Sequence, residues 1–389
     1  MKNVRDFDLN NKVVLLRCDF NVSIKDGKIL DDTRIVNSLE TIKYILNNNA
    51  KLVVLSHLGK VKTDDEKKDK SLRIVYLRLK ELLGDVVSFV PFTRGKEVEM
   101  SISNMENGSM LLIENTRFED IDMMKESKCD MELSKYWASL GDIFINDAFG
   151  TLHRKHASNY GISLFLDSGI GFLVEKELRE LNRLDNPSRP YVVIMGGSKV
   201  SDKIKVIDTL IKKVDYLLIG GAMANTFVKA YGYDIGSSMY EKDSISYCEN
   251  LLNDYKDKII LPVDSYGSSD LDLPKVLEEC GSYSKSFKAF DIGKKTIDLF
   301  CDKLKGASCV FWNGPLGVYE NENYYYGTKK IMEYICNNDC YSILGGGDIV
   351  TCCKLFGLNK KISYISTGGG ASLEYLVDKN LPGLVNIGE

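Results

Sequence analysis

The chain has 389 residues, 44% of them hydrophobic and 27% charged, with a formal net charge of −4. That length exceeds one ordinary hydrophobic core and predicts two domains. The charge excludes a generally basic nucleic-acid surface. No apolar run reaches the ~18 residues of a membrane span, and no apolar leader follows Met1-Lys2-Asn3, so a cytosolic protein is expected.

Taken in chain order, short Val/Ile/Leu-rich runs alternate with segments of helical period. Val13–Leu16 is strand-like and runs into Arg17-Cys18-Asp19-Phe20-Asn21. Ser38–Leu46 carries Leu39, Ile42, Ile45 and Leu46 at helical spacing. Leu52–Leu55 leads into Ser56-His57, and the lysine- and aspartate-rich Val61–Lys70 reads as a solvated loop. A helix is expected over Leu72–Leu83. Leu111–Ile113 then ends in Glu114-Asn115-Thr116-Arg117, and Ile143–Ile145 in Asn146-Asp147. Phe172–Asp185 has Leu173, Leu178, Leu181 and Leu184 on one side and stops at Asn186-Pro187, as a helix joining two lobes would.

Beyond residue 186 the strand ends change character. Val192–Met195 precedes Gly196-Gly197-Ser198-Lys199, and Leu217–Ile219 precedes Gly220-Gly221. Val310–Trp312 precedes Asn313-Gly314-Pro315, Ile343-Leu344 precedes Gly345-Gly346-Gly347-Asp348, and Tyr364-Ile365 precedes Ser366-Thr367-Gly368-Gly369-Gly370. Ligands of open α/β sheets bind at the carboxyl ends of the strands. The first lobe therefore reads as gripping a compact polyanion with side chains: Arg17, Arg34, His57, Arg117, His153 and Arg154, with Asp19 and Asn21 receiving substrate hydroxyls. The second reads as cradling phosphates with bare backbone amides. Lys199 and Lys203, four apart, are expected on one face of a helix's first turns, where an anion would neutralise them. Asp348 reads either as a helix N-cap or as a ligand of nucleotide-borne Mg²⁺. No P-loop, dinucleotide or protein-kinase signature is present. The ten cysteines show no C-x-x-C pair and read as free thiols.

These segments together resemble one family. Arg17-Cys18-Asp19-Phe20-Asn21-Val22, Ser56-His57-Leu58-Gly59, Glu114-Asn115-Thr116-Arg117-Phe118 and Asn146-Asp147-Ala148-Phe149-Gly150-Thr151 are similar to motifs of the phosphoglycerate kinases. So are Gly196-Gly197-Ser198-Lys199-Val200-Ser201-Asp202-Lys203, Trp312-Asn313-Gly314-Pro315-Leu316-Gly317-Val318-Tyr319-Glu320, Gly345-Gly346-Gly347-Asp348 and Thr367-Gly368-Gly369-Gly370.

The resemblance implies an α/β fold of two doubly wound parallel-sheet (Rossmann-like) domains, separated by a cleft and joined by a helix. It implies a triose domain over 1–171, a joining helix over 172–185, a nucleotide domain over 186–370 and a returning tail over 371–389. The implied reaction is reversible phosphoryl transfer between 1,3-bisphosphoglycerate and MgADP, giving 3-phosphoglycerate and MgATP, by in-line transfer with domain closure in a monomer. The triose site carries over onto Asp19, Asn21, Arg34, His57, Lys60, Arg117 and Arg154. The nucleotide site carries over onto Gly197, Lys199, Lys203, Gly221, Asn313, Pro315, Val318, Glu320 (ribose), Gly345, Gly346, Gly347, Asp348 (toward Mg²⁺) and Ile349. Arg34, Lys199 and the amides of Gly346 and Gly369 would stabilise the transferring group. Lys60 stands where the family usually has Arg, Ala222 where it has a third glycine, and Ile349 where it has Thr. Another acyl-phosphate-forming kinase, a two-lobed binding protein and an inactive paralogue are the rival readings.

Overall fold

A computed structural model describes residues 1–388. The chain divides into two compact units, residues 1–179 with 378–389 and residues 180–377.

The first unit is built on a six-stranded parallel sheet: β1 (Val13–Arg17), β2 (Lys51–Leu55), β3 (Val87–Val90), β4 (Met110–Ile113), β5 (Ile143–Asn146) and β6 (Ser168–Ile170). The spatial order is β3-β4-β2-β1-β5-β6. Its central strands are buried along nearly their whole length, because helices cover both faces. One face packs Val14, Leu16, Leu52 and Val54 against Ile42, Ile45, Val75 and Leu79. The other packs Leu15, Val53, Leu111 and Phe144 against Val98, Leu133 and Trp137. That alternation follows from the two-residue period of a strand. The strand order reverses between β1 and β5, so Arg17 and Asn146 stand side by side at the switch point. The expected helices appear at Leu39–Asn47 and Arg73–Leu83. The segment read as a solvated loop is less simple: Val61 is buried and Lys67–Lys70 is helical.

The second unit repeats the plan with β7 (Tyr191–Met195), β8 (Tyr216–Ile219), β9 (Ile259–Ile260), then β10 (Asp264–Ser268), β11 (Val276–Glu279), β12 (Lys288–Ile292), and finally β13 (Cys309–Asn313), β14 (Tyr341–Leu344) and β15 (Tyr364–Ile365). The parallel sheet runs β9-β8-β7-β13-β14-β15, with its switch point between β7 and β13. β11-β10-β12 form a separate antiparallel sheet that the sequence reading does not anticipate.

The helix after β6 spans Phe172–Asn182, three residues short of the expected end. Helix Gly370–Val377 lies with the second unit, so the segment belonging to the first begins at Asp378, later than the expected 371. It is fastened there by Gly383 N–H to the Leu152 carbonyl at 2.8 Å and by Lys2 N–H to the Gly388 carbonyl at 2.6 Å. All ten cysteines are free. No described helix is long and apolar enough to cross a membrane.

Candidate functional site: an arginine cluster and a phosphate-sized cradle

In the first unit the sheet delivers Arg17 to the switch point fully buried. A buried guanidinium is tolerable only when its donors are satisfied and its charge is balanced. Its Nε donates to Ser158 Oγ at 2.8 Å, its Nη1 donates to the Cys18 carbonyl, and its Nη2 lies 3.3 Å from His57 Nδ1. Ser158 passes the charge on: its Oγ donates to Glu126 Oε1 at 2.5 Å and its N–H to Oε2 at 2.9 Å. Glu126 is wholly buried, the counter-charge beneath the cluster.

Above this layer Arg34 Nη1 donates to Asp19 Oδ2 at 2.5 Å, with the Arg34 side chain one-third exposed. Asp19 also accepts from Asn21 N–H at 3.2 Å, and Asn21 Oδ1 accepts from Gly59 N–H at 2.8 Å. In this arrangement both acidic-end residues hold the site's own loops, and the lone pairs left on Asp19 are what remains for a hydroxyl. Arg117 is buried, donating from Nη1 to Asp120 Oδ2 at 2.7 Å and to Ser127 Oγ. Its Nη2 faces His156 Nε2 at 3.4 Å. Arg154 is exposed and places its Nε 3.1 Å from His153 Nε2. Lys60 is exposed and stands outside this hydrogen-bonded group.

Burial, followed by Arg17, Arg117, Arg34 and Arg154, holds the His57 pKa well below the usual imidazole range. Burial, followed by Arg117, Arg17, His57 and Arg154, pushes His156 down to about 2. The same neighbours acting on both rings show that the cluster is one electrostatic unit. Its positive charge comes from arginine alone. Both histidines have folded pKa values below the unfolded ~6.5, so below that pH the unfolded chain takes up protons that the folded chain refuses. Each ring then removes about 1.4 kcal/mol of stability per pH unit as pH falls. His156→Gln is expected to flatten the wild-type acid slope by that amount between about pH 6 and 4. Urea midpoints of the two proteins across that range measure the difference, and parallel slopes would contradict it.

In the second unit the loops after β7, β8 and β13 are hydrogen-bonded to one another through backbone. Gly197 N–H donates to the Pro315 carbonyl at 2.8 Å, Gly221 N–H to the Leu316 carbonyl at 3.0 Å, and Met223 N–H to the Gly197 carbonyl at 3.0 Å. The approach is so close that a Cβ on Gly196 would lie 2.1 Å from the Pro315 oxygen, and one on Gly221 would lie 2.6 Å from Gly197 backbone. These glycines let loops interlock. The amides of Gly197 and Gly221 are therefore already taken by backbone carbonyls within the loops. Gly221 instead lines a separate small cavity with Asn225, Tyr283, Phe290 and Asp291.

What remains open is a cavity of about 210 Å³ lined by Gly197, Lys199, Lys203, Asn313, Gly346, Gly347 and Asp348, among others. Lys203 is buried and its Nζ donates to Asn313 Oδ1, while Asn313 Nδ2 donates to the Gly345 carbonyl. Burial lowers the Lys203 pKa to about 8, against the pull of Asp348 and Asp202. The two lysines do not share a helix face: the helix is Ile204–Leu210, Lys203 is its N-cap, and Lys199 sits exposed in the turn before it. That turn is pinned by Glu241, which accepts from Val200 N–H at 2.5 Å, Ser201 N–H at 3.0 Å and Ser201 Oγ at 2.6 Å. Sequence reasoning missed Glu241, and likewise Glu126, Ser158 and His156, since nothing local marks a carboxylate or hydroxyl that acts from a distant segment.

Helix Gly347–Leu355 starts at this cavity. Its N-cap is Gly346, at φ +115°, with Asp348 in the first turn rather than at the cap. A Cβ on Gly346 would meet Asn313 Nδ2 at 2.5 Å, yet one on Gly347 would meet nothing within 4 Å. Gly369, at φ +53°, likewise faces open space. Ile349 points into the core and is fully buried, so its side chain does not line the cavity. Ala222 has φ −64° and caps helix Met223–Ala230, where a third glycine is not required. Val318 N–H is bound to the Phe290 carbonyl at 2.8 Å, and Glu320 is exposed at the end of that loop.

A phosphoglycerate kinase family model matches residues 4–379. The chain belongs to the phosphoglycerate kinase family. It is 52% identical over 392 aligned residues to a phosphoglycerate kinase of Listeria innocua, covering 100% of this chain and 99% of that one. To the Enterococcus faecalis phosphoglycerate kinase it is 51% identical, again over 100% and 99%. The solved phosphoglycerate kinase of Coxiella burnetii superposes with a TM-score of 0.87 at 35% identity, over 99% of this chain and 98% of that one. That of Pyrococcus horikoshii OT3 gives 0.86 at 31%, over 100% and 98%. The two solved relatives thus share the overall fold of this chain, whose two six-stranded sheets reverse their order beside the arginine cluster and beside the cavity.

Proposed function

We propose that the chain transfers a phosphoryl group reversibly between 1,3-bisphosphoglycerate and MgADP, giving 3-phosphoglycerate and MgATP. The observation that carries this reading is the pairing of two unlike anion sites, each at the switch point of its own sheet. One is a set of arginine forks suited to carboxylate and phosphate. The other is a lysine-and-amide cradle at a helix N-terminus suited to a phosphate chain.

In this reading Arg34, His57, Arg117 and Arg154 hold the triose, with Asp19 and Asn21 ordering the loops around it. Lys60 meets the anion as a point charge from the rim. Lys203 and the amides of Gly346 and Gly347 hold the nucleotide phosphates, and Glu320 reaches the ribose. Asp348, one of two carboxylates that line the cradle (the other is Asp202), suits a Mg²⁺ that arrives already held by phosphate oxygens. Magnesium would supply charge neutralisation there.

No general base is required, because the acceptor is a carboxylate with a pKa near 4 that is ionised at neutral pH. Catalysis then rests on alignment and on neutralising charge on the equatorial oxygens. Arg34, Lys199 and the amides of Gly346 and Gly369 take that role. The Lys203 pKa of about 8 leaves it mostly cationic at pH 7, and an incoming phosphate would raise it further. The enzyme is expected to act as a monomer in the cytosol.

The test is a steady-state assay with 3-phosphoglycerate and MgATP, run beside acetate and aspartate as alternative acceptors. Turnover confined to 3-phosphoglycerate is expected. Turnover with another carboxylate alone would make the chain a different acyl-phosphate-forming kinase, and none with any acceptor would make it a binding protein.

A further inference from the structure

We propose that two buried arginines fix opposite neutral tautomers in the two buried histidines, so that His57 meets the triose anion as an Nε2–H donor and not as a cation. A guanidinium offers only N–H groups and keeps its proton. Whatever ring nitrogen it faces must therefore present a lone pair, which puts the proton of a neutral imidazole on the other nitrogen.

Arg17 Nη2 lies 3.3 Å from His57 Nδ1. It cannot turn away, being fully buried with Nε bound to Ser158 and Nη1 to the Cys18 carbonyl. Ser158 cannot compete for that role, since its own proton goes to Glu126. The one rival for Nδ1 is Asp19 Oδ1, at 3.9 Å, beyond hydrogen-bond reach. Asp19 is itself drawn toward Arg34. His57 therefore carries its proton on Nε2, a nitrogen for which the described residues provide no acceptor.

At the second ring the arrangement is reversed. Arg117 Nη2 faces His156 Nε2 at 3.4 Å, and Arg117 is anchored by Asp120 and Ser127. The His156 proton falls on Nδ1, which is buried without a hydrogen-bond partner among the described residues, Glu126 Oε1 lying 3.9 Å away and so beyond hydrogen-bond reach but on the side that favours a proton there. The charged groups around the two rings are Arg17, Arg34, Arg117 and Arg154 against Asp19 and Glu126. A third kind of cation has no place in that set. Arg17, Ser158 and Glu126 are positioning residues: they act on substrate only through His57.

The proposal rests on the triose reading for its consequence, but its first test needs no substrate. Full-length protein labelled with ¹⁵N-histidine is examined by long-range ¹H–¹⁵N correlation at pH 6.5 and 7.5, with His57→Gln and His156→Gln used only to assign signals. The expected result is a lone-pair Nδ1 and protonated Nε2 for His57, and the reverse for His156, at both pH values. A protonated Nδ1 on His57, or an imidazolium at pH 6.5, would overturn it. Ser158→Ala frees Arg17 on one side and is expected to convert His57 to a mixture of tautomers. It should also raise KM for 3-phosphoglycerate about tenfold, the scale of one misplaced hydrogen bond, with kcat within about twofold. An unchanged His57 signature in folded Ser158→Ala would remove Ser158 from the relay. Should that variant not fold, the wild-type spectrum decides alone.

Discussion

Arg34→Ala is expected to lower kcat by about 10²–10³, the usual loss for one preorganised charge on a transition state, while KM for 3-phosphoglycerate rises far less. The geometry gives the reason for the split. Arg34 sits in the short helix Thr33–Asn37 with its side chain one-third exposed, held by Asp19. Arg117, by contrast, is buried and already bound to Asp120 and Ser127, and Arg17 is sealed beneath His57. In the proposed mechanism Arg34 is thus the cation whose remaining donors would follow charge as it develops on the equatorial oxygens. In the proposed mechanism Lys199 is its counterpart on the nucleotide side, and it is exposed in a segment fixed by Glu241. Lys199→Ala is expected to behave in the same way toward MgATP. Arg34→Lys keeps the sign and loses the fork, so it should recover only part of kcat. Steady-state kinetics in both directions measure all three variants. A rise in KM with kcat intact, for both alanine variants, would move Arg34 and Lys199 from transition-state stabilisation to ground-state binding.

Much of this site was legible in the sequence because the strands were. Runs such as Val192–Met195 and Leu111–Ile113 are apolar at every position, as strands covered on both faces must be, and the residue after each run necessarily stands at the carboxyl edge of its sheet. That rule places Arg17, His57, Asn313 and Asp348 at the carboxyl edges of their sheets. The antiparallel sheet was not, because β10 and β11, Asp264-Ser265-Tyr266-Gly267-Ser268 and Val276-Leu277-Glu278-Glu279, lack that apolar signal. Residues that act from behind were hidden too. Glu126 lies in an acidic, basic and methionine-rich stretch with no period, and only the fold shows that it balances Arg17. Helical spacing does not apply to Lys199 for a local reason: Gly197, at φ +96°, opens a non-helical segment that runs to Lys203, ahead of helix Ile204–Leu210. The family resemblance carries the nucleotide site onto Ile349, whereas the rotation of helix Gly347–Leu355 sends its side chain to the core beside Cys352 and Cys353.

The glycines divide into two kinds that a sequence cannot separate, and a pair of alanine substitutions is expected to separate them with opposite signs. Gly196→Ala puts a methyl group 2.1 Å from the Pro315 oxygen and 2.7 Å from the Gly314 oxygen, both backbone atoms of a loop tied back by Gly197 and Gly221. Nothing flexible can yield, so the three interlocked loops must part. A loss of ~3 kcal/mol or more is expected, in the range of severe overpacking, and nucleotide binding should fall with the fold. Gly347→Ala meets nothing within 4 Å and its φ lies outside the left-handed region. Restricting the unfolded chain there should stabilise the protein by about 0.4–1 kcal/mol. The same methyl group would stand in the cradle where phosphate oxygens approach the helix N-terminus, so KM for MgATP should rise at least about tenfold, the effect of losing one charge-assisted contact of ~1.5 kcal/mol. Thermal unfolding and nucleotide titration of the two variants supply the four numbers needed. A Gly347→Ala protein that is more stable and still binds MgATP with wild-type affinity would show that the phosphates do not approach this amide, and the cradle would then have to be sought at Gly369.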